Sequence, residues 1–558
     1  MRHFTRFPSR MALGATLALA LAACTDLTET PYSQITEENF KPTEEDIGSL
    51  IGPAYSPLRQ VWMDWYGNLD FQEETADVLI TPVRPNGWYD GGTYIRLHEH
   101  RWITPGNGQI DALWGNAFDG INAANRVIYQ IESGLVPISD EGLKTRLVAE
   151  LRALRAYYYY LLMDGFGNIP IVTDFTATDL PEQRTRKEAF DFVVNELTEA
   201  LPNLSTDGPG TSTYGRINHW AARALLGRVY LNAEVYTGQP MYDKAIEVTD
   251  PIVSDGPYDL ESDYRAPFAR DNQNSIEILW AVPYDEINGR CSSFHNKTLK
   301  PELQYVFDIS QPWGGSASNP QFIDTYDPDD TRFKGTDDEE GRGGTWLVGP
   351  QFTDDGQYGY DFVQYVPNIN APADQRAFEY GYPVWKYEVY PGEQGCSDVD
   401  YPIIRYAEVL MTRAEAMLRL GDADAAAQIV TDVRERAFAE TDPAKATVTG
   451  ADLLEGSSYV YGWYDYDGVV KDGPDGTPVT NTTGGMFGGA DIQYGRFLDE
   501  LGWEFAVEGH RRRNLIRFGV FTTKAWFNHM PNGDYRSIFP IPNNVLETNS
   551  KLKQNPGY

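Results

Sequence analysis

The sequence predicts a mainly α-helical fold, in which tetratricopeptide-like helical hairpins form a scaffold that carries long, irregular, aromatic-rich loops. Apolar residues recur at three- and four-residue spacing over about 110–254, 402–436 and 490–520, as in amphipathic helices. Residues 255–400 instead are rich in Gly, Pro, Asn, Asp, Tyr and Trp and have little helical periodicity. Because aromatic residues are rare in disordered chains, we expect these long loops to be ordered and functional.

The N-terminus has the pattern of a lipoprotein signal. Arg2, Arg6 and Arg10 precede an apolar run at residues 11–23, which is shorter than the ~20 residues that cross a bilayer. Small residues directly before Cys24 predict cleavage in front of this cysteine and lipidation of its thiol. An ordinary signal peptide with an incidental cysteine is the alternative.

These features predict a division of the chain into three parts. Residues 1–23 form the signal, residues 24–41 form a lipidated tether, and residues 42–558 form one domain. Within that domain we expect the ligand-binding loops at about 255–400, together with the loops at 70–105.

Charge and cysteine content narrow the choice of partners. The formal net charge is −35, which argues against nucleic acid or an anionic lipid surface as a partner. With Cys24 lipidated, only Cys291 and Cys396 remain, and the sequence leaves open whether they pair. No CxxC motif occurs, so a thiol redox or zinc-ribbon function is not predicted.

The apolar spacing predicts seven helices. They are expected at residues 110–133, 141–164, 186–201, 218–236, 242–253, 402–420 and 423–436. Leu226, Gly227 and Tyr230, followed by Ala245, resemble the L-G-x2-Y pattern of tetratricopeptide repeats, whose small residues let two helices approach closely. The last two helices form a second such hairpin; generic helix packing is the alternative.

Several separated segments resemble the SusD/RagB family of outer-membrane nutrient-binding lipoproteins. Residues 404–416 read I-R-Y-A-E-V-L-M-T-R-A-E-A, which is close to the most specific signature of that family. Further segments, at 114–127, 150–172, 500–519 and 540–558, are similar to family motifs in the same order. Two positions depart from the family pattern: Asn514 replaces the usual Asp, and Trp503 replaces the usual Phe.

The resemblance implies a function as well as a fold. It implies a lipid-anchored protein of the outer membrane, facing the cell exterior, that binds an oligosaccharide or another nutrient and delivers it to a SusC-like TonB-dependent transporter. It implies no cofactor and no catalysis. A peptide or other non-sugar ligand, a scaffold without a small ligand and a glycoside hydrolase are the alternatives.

Loop aromatics are the candidate ligand contacts, because the apolar C–H faces of a pyranose pack on aromatic rings. The first group, Asn86, Trp88, Tyr89 and Asp90, lies where the family carries a ligand-binding tryptophan. A second group lies in the irregular middle region and comprises Trp313, Trp346 and Tyr358. Each aromatic residue could instead anchor its loop to the scaffold.

The sequence gives little support to a catalytic or metal-binding function. His98-Glu99-His100 lacks the HExxH spacing, and the sequence contains no G-x-S-x-G elbow. Four aspartates, at positions 465, 467, 472 and 475, could offer oxygens to calcium, but they lack the spacing and the glutamate of an EF-hand. A solvated turn is therefore the favoured interpretation, and we predict no metal.

Overall fold

The computed structural model describes most of the predicted domain. It covers residues 44–62, 66–84, 88–104, 107–285, 292–310, 312–336, 340–353, 355–357, 359–366, 368–370, 378–393, 397–464, 470–471 and 484–558. The signal, the tether with Cys24, the cysteines at 291 and 396, and the four aspartates considered for calcium lie outside these residues. The predicted division of the chain therefore remains a prediction.

Helices dominate the described residues. In the first half they are Glu44–Tyr55 (α1), Pro57–Val61 (α2), Asn68–Glu73 (α3), Thr93–His98 (α4), Gly108–Glu132 (α5), Glu141–Phe166 (α6), Arg186–Ala200 (α7), His219–Leu231 (α8), Ala233–Thr237 (α9) and Tyr242–Asp255 (α10). In the second half they are Phe294–Thr298 (α11), Leu303–Phe307 (α12), Pro320–Ile323 (α13), Thr331–Lys334 (α14), Tyr406–Arg419 (α15), Ala423–Phe438 (α16), Gly450–Leu453 (α17), Gly495–Phe505 (α18), Arg511–Arg517 (α19) and Asn543–Thr548 (α20).

The strands are short and pair two by two, all antiparallel. They are Leu79–Ile80 (β1), Ile169–Pro170 (β2), Gln183–Arg184 (β3), Ile278–Val282 (β4), Ala317–Ser318 (β5), Gly349–Phe352 (β6), Gly359–Phe362 (β7), Tyr401–Arg405 (β8), Trp463–Tyr464 (β9) and Val470–Lys471 (β10). The pairs are β1–β5, β2–β3, β4–β8, β6–β7 and β9–β10. The fold is mainly α, as the sequence predicts.

Most predicted helices occur close to their predicted bounds, but one begins incorrectly. Residues 402–405, predicted as the start of a helix, belong instead to strand β8, which pairs with β4 from Ile278 opposite Arg405 to Val282 opposite Tyr401. All five residues of β8 are buried. A short apolar run that is buried on both faces lacks the alternation that separates a strand from a helix, which explains the error.

Several helices begin at a residue whose side chain accepts hydrogen bonds from the free amides of the first turn. The Asp140 carboxylate accepts hydrogen bonds from the backbone N–H groups of Gly142 (2.8 Å) and Leu143 (3.1 Å) at the start of α6. Thr185 and Glu188 form a reciprocal capping box at the start of α7. These caps fix the first turn of the two long helices that follow them.

The predicted hairpins pack closely. Helix α8 packs on α10, α15 packs on α16, and α10 packs on α15, so the two hairpins are adjacent. A Cβ atom at Gly227 would lie only 2.6 Å from the Thr249 Cγ2 atom. The glycine therefore permits the close approach of α8 and α10 that the tetratricopeptide-like pattern predicts.

Four consecutive tyrosines of α6, Tyr157 to Tyr160, are all fully buried. Three of their hydroxyls have partners: Tyr157 accepts from the Trp62 indole N–H (2.9 Å), Tyr158 donates to the Ala54 carbonyl (2.8 Å), and Tyr159 donates to the Val172 carbonyl (2.8 Å). These bonds tie α6 to the N-terminal helices and to the segment after β2. The tyrosine run is therefore structural.

Buried ion pairs join distant segments around Arg405. Its guanidinium group pairs with Glu508 (2.6 Å), Glu277 (2.7 Å) and Glu504 (2.8 Å), and all four side chains are nearly fully buried. Burial alone would raise the pKa of Glu504, but Arg436, Arg405 and Arg332 outweigh it and hold that pKa far below its usual value. The carboxylate therefore stays ionised inside the protein.

Replacing Arg405 with methionine is expected to destabilise the protein strongly. Removing one partner of a buried ion pair costs about 3–5 kcal/mol. Glu277, Glu504 and Glu508 would keep other cations, namely Arg436, Arg332 and Lys386, but would lose the guanidinium group that all three share. Thermal or urea unfolding of Arg405→Met checks this result. Lys187→Met, which removes an exposed pair with Asp191, is the control and should leave stability almost unchanged. Equal stability of the two variants would contradict the role of Arg405.

Glu73 is a buried carboxyl group without an ion pair in the described residues. Its Oε1 atom accepts hydrogen bonds from the backbone N–H groups of Gly509 (2.7 Å) and His510 (3.2 Å). Burial raises its pKa to about 7, although these amides and Arg511 oppose the shift. The folded protein therefore disfavours the ionised form of Glu73.

We expect Glu73→Gln to stabilise the protein in a pH-dependent way. The folded pKa lies above the unfolded value of 4.5, so the wild type loses stability as the pH rises from about 4.5 to about 7. Glutamine retains an acceptor for the two amides but does not ionise, so its advantage should grow over this range to on the order of 2 kcal/mol. Unfolding measured from pH 5 to pH 8 checks the trend; a constant difference between the two proteins would contradict it.

Candidate ligand-binding site

Two of the predicted tryptophans, Trp88 and Trp313, lie side by side although they are far apart in the chain. Their ring centroids are 5.9 Å apart, with an angle of 31° between the ring planes. Both side chains are partly exposed. Tyr94 is buried next to Trp88, with ring centroids 6.3 Å apart. The three rings form a continuous aromatic platform with exposed indole surface.

Trp88 lies at the start of a tight turn that precedes α4. Its carbonyl accepts a hydrogen bond from the Arg84 backbone N–H (3.2 Å). Asp90 has a positive φ of 47°, and its carboxylate accepts a hydrogen bond from the Tyr66 hydroxyl (2.8 Å). Tyr89 between them is 53% exposed. The turn therefore leaves Tyr89, the residue after Trp88, exposed to solvent, while Asp90 holds the shape of the turn.

The loop that carries Trp313 is attached through its backbone. The N–H groups of Trp313, Gly314 and Gly315 donate to the carbonyls of Asn296 (2.6 Å), Leu299 (2.7 Å) and Lys297 (2.6 Å) respectively, on and next to helix α11. A Cβ atom at Gly315 would lie 3.1 Å from the Trp88 indole. Glycine at this position leaves room for Trp88 against the loop.

Charged side chains are buried below the platform. The Lys297 ammonium pairs with Asp70 and with Glu74 (2.9 Å) and lies 4.2 Å from the centre of the Tyr94 ring. Burial alone would lower the pKa of Lys297, but the two carboxylates outweigh it and raise that pKa. The Tyr94 hydroxyl donates to Asp70 (3.0 Å). This ion cluster fixes Tyr94 and the start of the Trp313 loop together.

Two further buried cations bind carbonyls of the same loop. Arg84 donates to the Gly315 carbonyl (3.2 Å) and to the Tyr380 carbonyl (3.0 Å), and burial lowers its pKa to about 9. Lys300 donates to the Ser316 carbonyl (3.2 Å). Burial, together with the neighbouring Arg84, lowers the pKa of Lys300 well below its usual value. These buried side chains lie beneath the platform and link the loop of Trp88 to the loop of Trp313.

The other predicted contacts do not all join this platform. Asn86 and Tyr358 lie outside the described residues. The prediction for Trp346 is corrected by its burial: the side chain has no exposed surface, and its backbone bridges to Val384 within the core. A ring without exposed surface presents no face to a ligand, so Trp346 is a core residue.

The histidines at positions 98 and 100 also have structural contacts. His98 Nε2 bonds to the Phe527 carbonyl, and His100 Nε2 bonds to the Thr75 carbonyl (2.8 Å). In the part of the chain that the structure describes, no group of three His, Cys, Asp or Glu side chains is arranged to hold a metal ion.

Sequence reasoning missed Tyr94, Lys297 and Arg84. Lysine and arginine are seldom fully buried, and the segment around Lys297 has no clear periodicity, so no local pattern indicates their position. Only the contact between the two tryptophan loops brings them together. Chemically, the site offers two indole faces and an exposed phenol ring, an arrangement suited to stacking against flat, weakly polar ligand surfaces.

Among the described helices, none combines the length and the apolar composition needed to cross a membrane. Residues 67–231 match a family described as starch-binding and associating with the outer membrane. The starch-binding protein SusD of Bacteroides thetaiotaomicron is 26% identical over 464 residues, which span 74% of this chain and 72% of that relative.

Solved structures share the fold. NanU of B. fragilis superposes with a TM-score of 0.68 at 21% identity, covering 95% of this chain and 99% of that one. Surface glycan-binding protein A of Bacteroides thetaiotaomicron, in complex with laminarihexaose, has a TM-score of 0.62 at 20% identity, covering 92% and 100% of the two chains. Residues 277–558, half of the sequence, match the SusD family, and the chain therefore belongs to that family.

Proposed function

We propose that this protein binds an oligosaccharide on the platform of Trp88 and Trp313 and delivers it to a SusC-like TonB-dependent transporter of the outer membrane. The observation that carries the proposal is the meeting of these two partly exposed rings from distant loops. An isolated loop anchor would pack its ring into the core, as Trp346 does. Here the exposed parts of two rings adjoin each other instead.

The geometry suits a sugar chain. The apolar faces of pyranose rings stack on aromatic side chains, and two adjoining indoles extend the stacking surface beyond the width of one ring. Tyr89, which follows Trp88 in the chain, adds an exposed aromatic ring. Because the buried ion cluster fixes the platform, little conformational entropy is lost on binding, which favours affinity.

The relatives support the same class of ligand. One is named a starch-binding protein, and a structurally similar protein was solved with laminarihexaose. These are statements about those proteins, and they motivate a glycan as the ligand here. They also favour binding without bond cleavage, and we infer the same for this chain.

Replacing Trp88 or Trp313 with alanine is expected to weaken oligosaccharide binding. Loss of one stacking face should reduce affinity at least about tenfold, which corresponds to about 1.4 kcal/mol. Isothermal titration or tryptophan fluorescence with a panel that includes laminarihexaose and maltooligosaccharides measures this change.

Tyr129→Ala is the matched control for these variants. Tyr129 is also a partly exposed aromatic residue, but it stacks on Phe175 at the end of α5 rather than on the platform. Its variant should bind like the wild type. Unchanged binding by Trp88→Ala and Trp313→Ala would refute the site, and binding of peptides with no response to any glycan would refute the ligand class.

We propose that Cys24 anchors the protein to the outer membrane. Cys24→Ala is expected to abolish incorporation of labelled fatty acid and to move the protein from the membrane fraction to the soluble fraction. Radiolabelling and fractionation of cells that express each form check this result. Wild-type protein extracted gently from native membranes should copurify with a large β-barrel protein.

Variants of the platform separate these functions. Trp88→Ala should retain lipid labelling and copurification, since it changes only the ligand contact. Equal membrane association of the wild type and of Cys24→Ala would contradict the lipid anchor. Isolation of the wild type without a barrel partner would contradict delivery to a transporter.

A further inference from the structure

A small polar pocket lies where α8, α15 and α19 meet, away from the aromatic platform. Its volume is about 30 Å³, and its polar lining includes Arg228, Glu408, Glu415, Arg513, Asn514 and Arg517. A space of this size holds one water molecule or a single ion of similar size. The charged side chains around this pocket do not all have a partner of opposite charge.

Four of the five arginines in this region have carboxylate partners. Arg228 donates to Glu408 (2.6 Å), and Arg512 pairs with Asp164 (2.9 Å). Arg517 (2.6 Å) and Arg419 (2.8 Å) both donate to Glu415.

Arg513 differs from these neighbours. Its side chain is nearly fully buried, but it makes no ion pair and no hydrogen bond with any residue that the structure describes. Asp164 lies near enough to favour the charged form of Arg513, but this carboxylate is paired with Arg512. Glu415 is shared by Arg419 and Arg517, so the arginines of this region outnumber the carboxylates in contact with them.

Hydrogen-bond donors without an acceptor lie in the same region. The Nη1 atoms of Arg228 and Arg513 are buried and have no acceptor among the described residues, and the same holds for the Tyr160 hydroxyl. The Arg513 guanidinium lies 6.0 Å from the centre of the Tyr160 ring. Burial raises the pKa of Tyr160, so this hydroxyl keeps its proton and supplies no negative charge. Leaving such donors unpaired is costly, and more so for a charged group.

Neighbouring groups confirm a positive environment. His510, which also lines the pocket, has its pKa held well below the usual value, first by burial and then by Arg513 and Arg228. It is therefore neutral and neither adds a charge nor balances one. Glu408 and Glu415 are already engaged by Arg228, Arg419 and Arg517.

We propose that this pocket binds a chloride ion, held by the Nη1 groups of Arg228 and Arg513. A water molecule would satisfy the donors but leave the charge of Arg513 uncompensated. A monatomic anion supplies both the acceptor and the charge and fits the small volume, whereas a sulfate or a larger oxyanion does not. The site is independent of the glycan platform.

The anion should bind the folded protein and not the unfolded chain, so it should stabilise the fold by mass action. We expect the Tm to rise when sodium gluconate is replaced by sodium chloride or sodium bromide at equal ionic strength. Gluconate is too large for the pocket, so the comparison separates a bound halide from general screening. Equal Tm values in chloride and gluconate would overturn the proposal.

Asn514→Asp gives a matched test of the location. The Asn514 side-chain oxygen accepts from Arg517 (3.0 Å) and lines the pocket, so an aspartate of the same shape supplies the missing negative charge. This variant should be more stable than the wild type in gluconate and should lose the response to chloride. Asn544→Asp, at an exposed position, should retain the response. A response that persists in Asn514→Asp would overturn the assignment to this pocket.

Crystals grown in bromide give a direct readout that does not depend on any variant. We expect an anomalous peak in contact with the Nη1 atoms of Arg228 and Arg513. Density without anomalous signal at this position would identify water and refute the anion. Glycan binding need not change in any of these experiments, so their failure would leave the proposed function untouched.

Discussion

The ion pairs of Arg405 with Glu277, Glu504 and Glu508 are the constraint around which the other segments are arranged. A charge taken out of water costs several kcal/mol unless a partner of opposite sign lies in contact with it. The partners of Arg405 come from the residue before β4, from α18 and from the segment after α18. Each carboxylate needs a buried cation, and Arg405 contacts all three of them. The helical hairpin that follows Arg405 and the irregular middle region are thus joined through this cluster.

The ligand platform uses the same principle on a smaller scale. Trp88 and Trp313 belong to loops that have little regular structure. Hydrophobic contact alone would leave both loops free to change position. Lys297, paired with Asp70 and Glu74, holds in place the side chains and backbone that lie beneath both rings. Buried charges are directional, unlike apolar contacts, so they set the position of a loop as well as its burial. This arrangement explains how irregular segments can present a fixed aromatic surface, the one that we propose binds the ligand.

The sequence predicted the long helices well because each has an amphipathic period, which is a local signal. It predicted residues 402–405 wrongly, since burial on both faces hides the strand. Trp88 and Trp313 could each be proposed from loop composition, but their contact depends on segments far apart in the chain. Trp346 has similar surroundings in sequence and is fully buried, so composition does not separate a binding ring from a core ring. Lys297 could not be found, because a buried lysine has no local signature.

The net charge of the chain likewise does not indicate how charges are balanced at an individual site. The chain carries 81 acidic residues against 46 basic ones, yet Arg513 is buried without a carboxylate in contact. The surplus carboxylates lie elsewhere, and water screens those at the surface from a buried cation several side chains away. Asp164 favours the charged form of Arg513 from nearby but pairs with Arg512, so a counterion in contact with Arg513 has to lie inside the pocket. Asn514, one of the two departures from the family motif, lines that pocket with an amide where an aspartate would supply the charge. We therefore propose that the amide at this position is what leaves the pocket dependent on an anion from solution.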